Sequence, residues 1–136
     1  MQEIFLDTAY AIALSAPSDE HHQTALTLAE ELEADDIRLV TTRAVIIEIG
    51  NALSKRRYRK AATELLDSLE EDTSIEIVPL TEQLYYKAYK LYRERPDKEW
   101  GLTDCISFVV MKERGIDQAL TTDGHFEQAG FEILLS

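Results

Sequence analysis

Acidic side chains stand beside or inside apolar segments at four places in the chain. Asp7 and Asp123 each close a short apolar run, Glu48 interrupts the apolar stretch 44–49, and Asp104 opens an apolar segment. An ionised carboxylate is costly to bury without a partner. Each acid also has an ordinary explanation: Asp7 and Asp123 as turn residues, Asp104 as a favourable charge at a helix start, and Glu48 as a partly exposed acid on an amphipathic helix.

Together, the four acids suggest a metal site. If the carboxylates converge without matching lysine or arginine, they repel one another, and at least one pKa should be raised. Oxygen ligands of this kind suit Mg²⁺ or Mn²⁺, and such an ion can activate water and stabilise charge on a phosphoryl group. Asn51 and Ser107 follow Glu48 and Asp104 by three residues, so each shares a helix face with an acid. Both could bind a metal-bound water or orient a carboxylate.

A basic segment stands out against a net charge of −12. An overall acidic chain is a poor non-specific ligand for nucleic acid. Residues 55–60, however, read Lys-Arg-Arg-Tyr-Arg-Lys, whereas residues 17–36 hold seven acids and no lysine or arginine. The segment could bind the phosphates of a nucleic acid and stack Tyr58 on a base, or it could be a solvated loop between helices. The phosphate-binding residues predicted on the first interpretation are Lys55, Arg56, Arg57 and Arg59.

The elements that must position these residues alternate between strand and helix. Short β-branched or aromatic runs bounded by turn residues predict strands at 4–6, 37–40, 75–78, 119–121 and 131–135. Helical spacing predicts helices at 8–15, 19–33, 43–54, 59–71, 82–94 and 103–114, with Ser18 or Asp19 capping the second. This alternation indicates a parallel sheet covered by helices on both faces, with sites at the carboxyl ends of the strands.

Length and composition fit one globular domain spanning residues 1–136. Cys105 is the single cysteine, so no intramolecular disulfide forms. No apolar run approaches the ~18 residues of a membrane span, and the first residues lack the pattern of a signal peptide. We therefore expect a soluble, cytoplasmic protein without membrane association.

Four motifs resemble those of the PIN-domain family, the nuclease fold of VapC-type toxins. They are Ile-Phe-Leu-Asp7-Thr8, the segment 42–53 around Glu48 and Asn51, the segment 102–108 around Asp104 and Ser107, and the segment 120–126 around Asp123. Each motif alone is weak. Their order and spacing cover nearly the whole chain, and together they are specific.

The resemblance implies a three-layer α/β/α sandwich with a central parallel five-stranded sheet. It implies an Mg²⁺- or Mn²⁺-dependent endoribonuclease that hydrolyses single-stranded RNA, with Asp7, Glu48, Asp104 and Asp123 as metal-binding catalytic residues. Thr8, Thr103 and Thr121 are implied as supporting residues. The resemblance also implies a toxin held inactive by a cognate antitoxin, and a homodimer. The alternatives are a non-toxin RNA-processing nuclease, a phosphatase-like hydrolase of small substrates, and an inactive PIN-like interaction domain.

Two further features admit two interpretations. Tyr85, Tyr89 and Tyr92 recur at helical spacing and could form an interface, although a core-facing stripe with exposed tips is the simpler interpretation. His125 could approach the acids, although a turn residue packed near Phe126 is again simpler.

Overall fold

Five parallel strands form the centre of the protein. The computed structural model describes residues 2–135. The strands are β1 (Glu3–Leu6), β2 (Arg38–Thr42), β3 (Ile75–Val78), β4 (Gln118–Leu120) and β5 (Glu132–Ile133). Their spatial order is β3-β2-β1-β4-β5, and every neighbouring pair is parallel. The predicted five-stranded parallel sheet is confirmed.

Seven helices connect the strands. They are α1 (Thr8–Ser15), α2 (His22–Ala34), α3 (Arg43–Ala52), α4 (Arg56–Glu71), α5 (Glu82–Glu94), α6 (Leu102–Arg114) and α7 (Gly124–Gln128). The connections β1→β2 and β2→β3 run in one direction across the sheet, whereas β3→β4→β5 runs in the other. Because parallel crossovers are right-handed, α1–α4 cover one face and α5–α7 cover the other. The result is the predicted three-layer α/β/α sandwich.

The core lies on both faces of the sheet. Phe5, Val40 and Leu120 are fully buried in the strands, whereas Ile49 and Met111 are fully buried on the helices of opposite faces. An aromatic cluster fills the space under α7, where the rings of Phe108 and Phe126 meet edge to face at 5.0 Å. Such edge contacts are a favoured geometry for aromatic pairs. This packing holds the start of α7, and therefore Asp123, against the sheet.

Several element boundaries differ from the sequence-based prediction. Helix α2 begins at His22 rather than at residue 19, because Asp19 caps a turn instead, and its carboxylate accepts a hydrogen bond from the backbone N–H of His21. Helix α4 begins at Arg56, so most of the basic segment is helical rather than a loop. Helix α7 follows β4 where the sequence indicated only a Thr-Asp-Gly turn. None of the helices within residues 2–135 is long and apolar enough to cross a membrane.

Candidate active site

The four predicted acids lie where the sheet reverses its winding. The chain leaves β1 toward β2 and leaves β4 toward β5, in opposite directions, and these two strands are neighbours. Open parallel sheets bind ligands at the carboxyl ends of the strands beside such a switch point. Asp7 directly follows β1, and Asp123 follows the last residue of β4 by three positions. Asp7 and Asp123 lie at the same edge of the sheet because β1 and β4 are neighbouring parallel strands, although the two residues are far apart in sequence.

Asp7 is the most deeply buried of the four acids, with 7% of its surface exposed. The hydroxyl of the buried Thr121 donates a 2.7 Å hydrogen bond to Asp7 Oδ2, and Thr121 Oγ1 in turn accepts a 3.0 Å hydrogen bond from the backbone N–H of Asp123. Thr121 therefore links the ends of β1 and β4. On the other side, the Thr41 hydroxyl donates to the carbonyl of Leu6 at 2.7 Å, which fixes the end of β1 against β2.

Glu48 reaches the site from the middle of α3. Thr42 caps this helix, since its hydroxyl accepts a hydrogen bond from the backbone N–H of Val45. The side chain of Glu48 accepts a 2.5 Å hydrogen bond from the hydroxyl of Thr8, the first residue of α1. Because Thr8 is the neighbour of Asp7 in the chain, this bond holds Glu48 beside the end of β1.

Asp104 and Asp123 meet on the other side of the site, together with His125. Asp104 Oδ2 accepts from the backbone N–H of Gly101 at 3.1 Å and lies 3.2 Å from His125 Nδ1. Asp123 caps α7, where its Oδ1 accepts from the backbone N–H of His125 at 2.9 Å. One ligand atom from each of these residues lies within 4.8 Å of the other two, as a shared metal ion requires.

The electrostatics of the site follow from burial and like charge. Burial, with smaller contributions from the charges of Glu48 and Asp104, raises the pKa of Asp7 to about 6, against the lowering effect of the Thr121 hydrogen bond. Burial also raises the pKa of Asp104, with a contribution from Asp123. The predicted raised pKa is confirmed, although desolvation outweighs charge repulsion as its cause.

Lysine and arginine do not compensate these acids. Throughout residues 2–135, the ion pairs formed by lysine and arginine lie elsewhere, as in the cluster of Arg114 with Glu3 and Glu76. The site is therefore a partly buried group of carboxylates whose charge an oxygen-preferring divalent cation would neutralise. The donor set fits such an ion.

The supporting residues are not all placed alike. Thr8 and Thr121 hydrogen-bond to acids, as described. The buried Ser107 hydroxyl instead donates to the backbone carbonyl of Thr103 at 3.1 Å, one helical turn earlier. Asn51 is exposed on α3, one turn beyond Glu48. For Asn51, Thr103 and Ser107, a supporting role stays a prediction.

The basic segment is exposed at the start of α4. The guanidinium of Arg59 donates to the carbonyl of Ser54 at 2.7 Å, and that of Arg57 stacks 4.7 Å from the ring centre of Tyr58. Lys55 and Arg56 are exposed at the beginning of the helix. The RNA-binding role predicted for these residues stays a prediction.

Cys105 and His125 both lie beside the acids, but only His125 is placed to take part in the site. Burial raises the pKa of the Cys105 thiol to about 11, so the thiol stays protonated and inert at neutral pH. His125, in contrast, faces Asp104 and Asp123, a position that the sequence interpretation ranked below a plain turn residue. The capping of α7 by Asp123 produces this placement, and the closeness of His125 to Asp123 in the chain was its only sequence signal.

Comparison with known proteins agrees with this geometry. A model of the PIN domain matches residues 4–132. The chain belongs to the PIN domain family. The resemblance drawn from the four sequence motifs is thereby confirmed.

Individual relatives of this PIN domain share less than a third of its sequence. The "23S rRNA-specific endonuclease VapC20" of Mycobacterium tuberculosis is 29% identical over 128 residues, which cover 94% of this chain and 95% of the relative. The crystal structure of VapC20, described as a "Sarcin-Ricin loop cleaving toxin", superposes with a TM-score of 0.81. VapBC2 from Rickettsia felis, bound to a DNA fragment from its promoter, shares the fold at 15% identity, 97% coverage of both chains and a TM-score of 0.72.

Proposed function

We propose that this PIN domain is a divalent-metal-dependent endoribonuclease that hydrolyses single-stranded RNA and acts as the toxin of a toxin–antitoxin pair. The observation that carries the proposal is the group of four uncompensated carboxylates at the switch point of the sheet. The similarity to VapC20, an RNA endonuclease by name, supports an RNA substrate.

Asp7, Glu48, Asp104 and Asp123 are proposed to hold Mg²⁺ or Mn²⁺. When bound, the ion supplies an activated water and stabilises the charge that develops on the phosphate. The chain supplies the positioning. Thr121 holds Asp7 and the backbone of Asp123, and Thr8 holds Glu48, so the carboxylates do not need to reorganise when the substrate arrives. No side chain of the site is required as a nucleophile.

The basic segment is proposed to bind the RNA backbone. Lys55, Arg56, Arg57 and Arg59 are exposed at the start of the helix that follows α3, the helix that carries Glu48. Arg57 and Tyr58 stack on each other and present both a positive charge and an aromatic face. In a chain with net charge −12, this segment supplies the positive surface that phosphates need.

An antitoxin helix is proposed to occupy an apolar groove between α1, α2 and α4. The groove has a volume of about 440 Å³ and is lined by apolar side chains such as Leu14, Leu32 and Leu65. Glu33 and Asp36 lie among its lining residues, so an amphipathic helix with basic flanks is the complementary occupant. A basic side chain of the same antitoxin would neutralise the carboxylate site. Solved VapBC complexes with this fold support such a partner.

A homodimer in the cytoplasm is the remaining part of the proposal. Tyr85, Tyr86, Tyr89 and Tyr92 on α5 expose between 38% and 63% of their surfaces. Amphipathic aromatic side chains at this density are typical of protein interfaces. Their exposure favours the interface interpretation over a core-facing stripe.

Cleavage of single-stranded RNA by the purified protein and by Asp104→Asn tests the proposal. We expect Mn²⁺-dependent cleavage by the wild type and a loss of about a hundredfold or more in the variant, because a carboxylate ligand is removed. Glu113→Gln, on the exposed end of the same helix, is the matched control and should cleave normally. Circular dichroism of each variant confirms folding. Wild-type cleavage by a folded Asp104→Asn, or the absence of any cleavage with either metal, would refute the proposal.

A further inference from the structure

We propose that His125 supplies an imidazole nitrogen to the divalent ion held by Asp104 and Asp123, and thereby biases the site toward Mn²⁺ and Co²⁺ over Mg²⁺. This inference rests on the proposed function, because it assigns one more ligand to the same metal site. The inference goes beyond the proposed function because it predicts which ions the site binds preferentially and which residue causes that preference.

The spacing of the three ligand atoms carries the argument. His125 Nδ1 lies 3.2 Å from Asp104 Oδ2 and 3.4 Å from Asp123 Oδ1. Two ligands at right angles, each about 2.1 Å from a six-coordinate ion, lie about 3.0 Å apart, and ligands on opposite sides lie about 4.2 Å apart. The two separations from the imidazole nitrogen are close to the spacing of adjacent ligands, and one ligand atom from each of the three residues lies within 4.8 Å of the other two.

The backbone already holds the imidazole in this position. Asp123 accepts a hydrogen bond from the backbone N–H of His125 and thereby begins α7. Phe126, the next residue, is fully buried against Phe5 and Phe108, so the first turn of α7 is anchored to the core. The half-buried His125 side chain therefore lies beside both carboxylates without needing a conformational change.

A nitrogen ligand changes which metal ions a carboxylate site binds most tightly. Mg²⁺ is a hard ion that favours oxygen ligands, whereas imidazole suits first-row transition metals, whose affinities rise from Mn²⁺ toward Co²⁺ and beyond. Asp7 and Glu48 are proposed to supply further oxygen ligands, although the three residues close enough to share one ion are Asp104, Asp123 and His125. The mixed donor set should therefore keep Mg²⁺ binding but strengthen Mn²⁺ and Co²⁺ binding relative to it.

Pulsed electron paramagnetic resonance of bound Mn²⁺ tests the ligand directly, without recourse to activity. We expect the wild-type spectrum to show coupling to a histidine nitrogen, and His125→Asn to lose it. Calorimetry should show that His125→Asn weakens Mn²⁺ and Co²⁺ binding by about tenfold or more, since even partners outside the coordination shell contribute that much. Mg²⁺ binding should weaken less, so the Mn²⁺/Mg²⁺ affinity ratio falls.

His21→Asn is the matched control, because His21 lies at the start of α2 beside Glu20. This variant should keep the nitrogen coupling and the wild-type affinity ratio. Melting curves in EDTA confirm that each variant is folded, and His125→Gln replaces His125→Asn if the latter is not. Mn²⁺ bound by the wild type without nitrogen coupling would overturn this inference and leave the carboxylate site intact. A folded wild type that binds no Mn²⁺ would overturn both proposals.

Discussion

Asp7→Asn should stabilise the metal-free protein at neutral pH, although it removes a proposed catalytic residue. Asp7 is 7% exposed, and its pKa is raised from 3.8 to about 6, chiefly by burial. The folded state therefore binds a proton more tightly than the unfolded state, so ionising Asp7 at neutral pH costs folding free energy. Two pKa units correspond to about 3 kcal/mol at 1.4 kcal/mol per unit.

The sign and the pH window follow from this shift. Below pH ~4, Asp7 is protonated in both states and imposes no penalty. The penalty grows as pH rises from about 4 to about 6 and is complete above that range. The asparagine side chain has nearly the same shape, and its oxygen can still accept the hydrogen bond from Thr121. In EDTA, we expect Asp7→Asn to gain between about 1 and 3 kcal/mol at pH 7.5 and little at pH 4.

Thermal melts in EDTA at several pH values measure the effect. A gain of 1 kcal/mol raises the melting temperature of a domain of this size by roughly 3–5 °C. Asp123→Asn is the matched comparison: the side chain of Asp123 is 36% exposed, so the variant should gain less. Added Mn²⁺ should raise the melting temperature of the wild type and narrow or reverse its difference from Asp7→Asn. If Asp7→Asn melts no higher than the wild type in EDTA at pH 7.5, the desolvation argument is wrong.

Three further predictions concern the surroundings of the site. Thr121→Val should destabilise the protein by about 1–3 kcal/mol, because it removes a partner from Asp7 and from the backbone N–H of Asp123, whereas Thr121→Ser should melt close to the wild type. Replacing Arg56, Arg57 and Arg59 with alanine should weaken RNA binding and flatten its salt dependence without changing metal affinity, and an unchanged salt slope in fluorescence anisotropy would contradict this. Glu33→Lys, at the groove, should slow association with the cognate antitoxin at low salt, whereas Glu30→Lys, outside the groove lining, should not. Equal association rates for these two variants in surface plasmon resonance would count against the groove as the antitoxin site.

The sequence by itself determined the layers of the fold and singled out the four acids that are proposed to bind the metal. Short β-branched runs and longer helical periods specify strands and helices locally, because alternating and 3.6-residue patterns cannot exchange roles. The acids were detectable because carboxylates stand out beside apolar segments such as the one that contains Glu48. Boundaries were less exact: α4 starts at Arg56 because the basic residues at its beginning extend a helix whose apolar stripe begins only further along the chain.

Tertiary structure alone decided which groups meet. The strand order β3-β2-β1-β4-β5 makes β1 and β4 neighbours, so Thr121 contacts Asp7 across 114 positions of sequence. No local pattern encodes that contact, because the pairing of strands depends on crossovers that bury the whole sheet. The same applies to His125. His125 lies in the short helix α7, which Asp123 caps and the buried Phe126 anchors. This capping and packing place the imidazole beside two carboxylates, and they exist only in the folded chain.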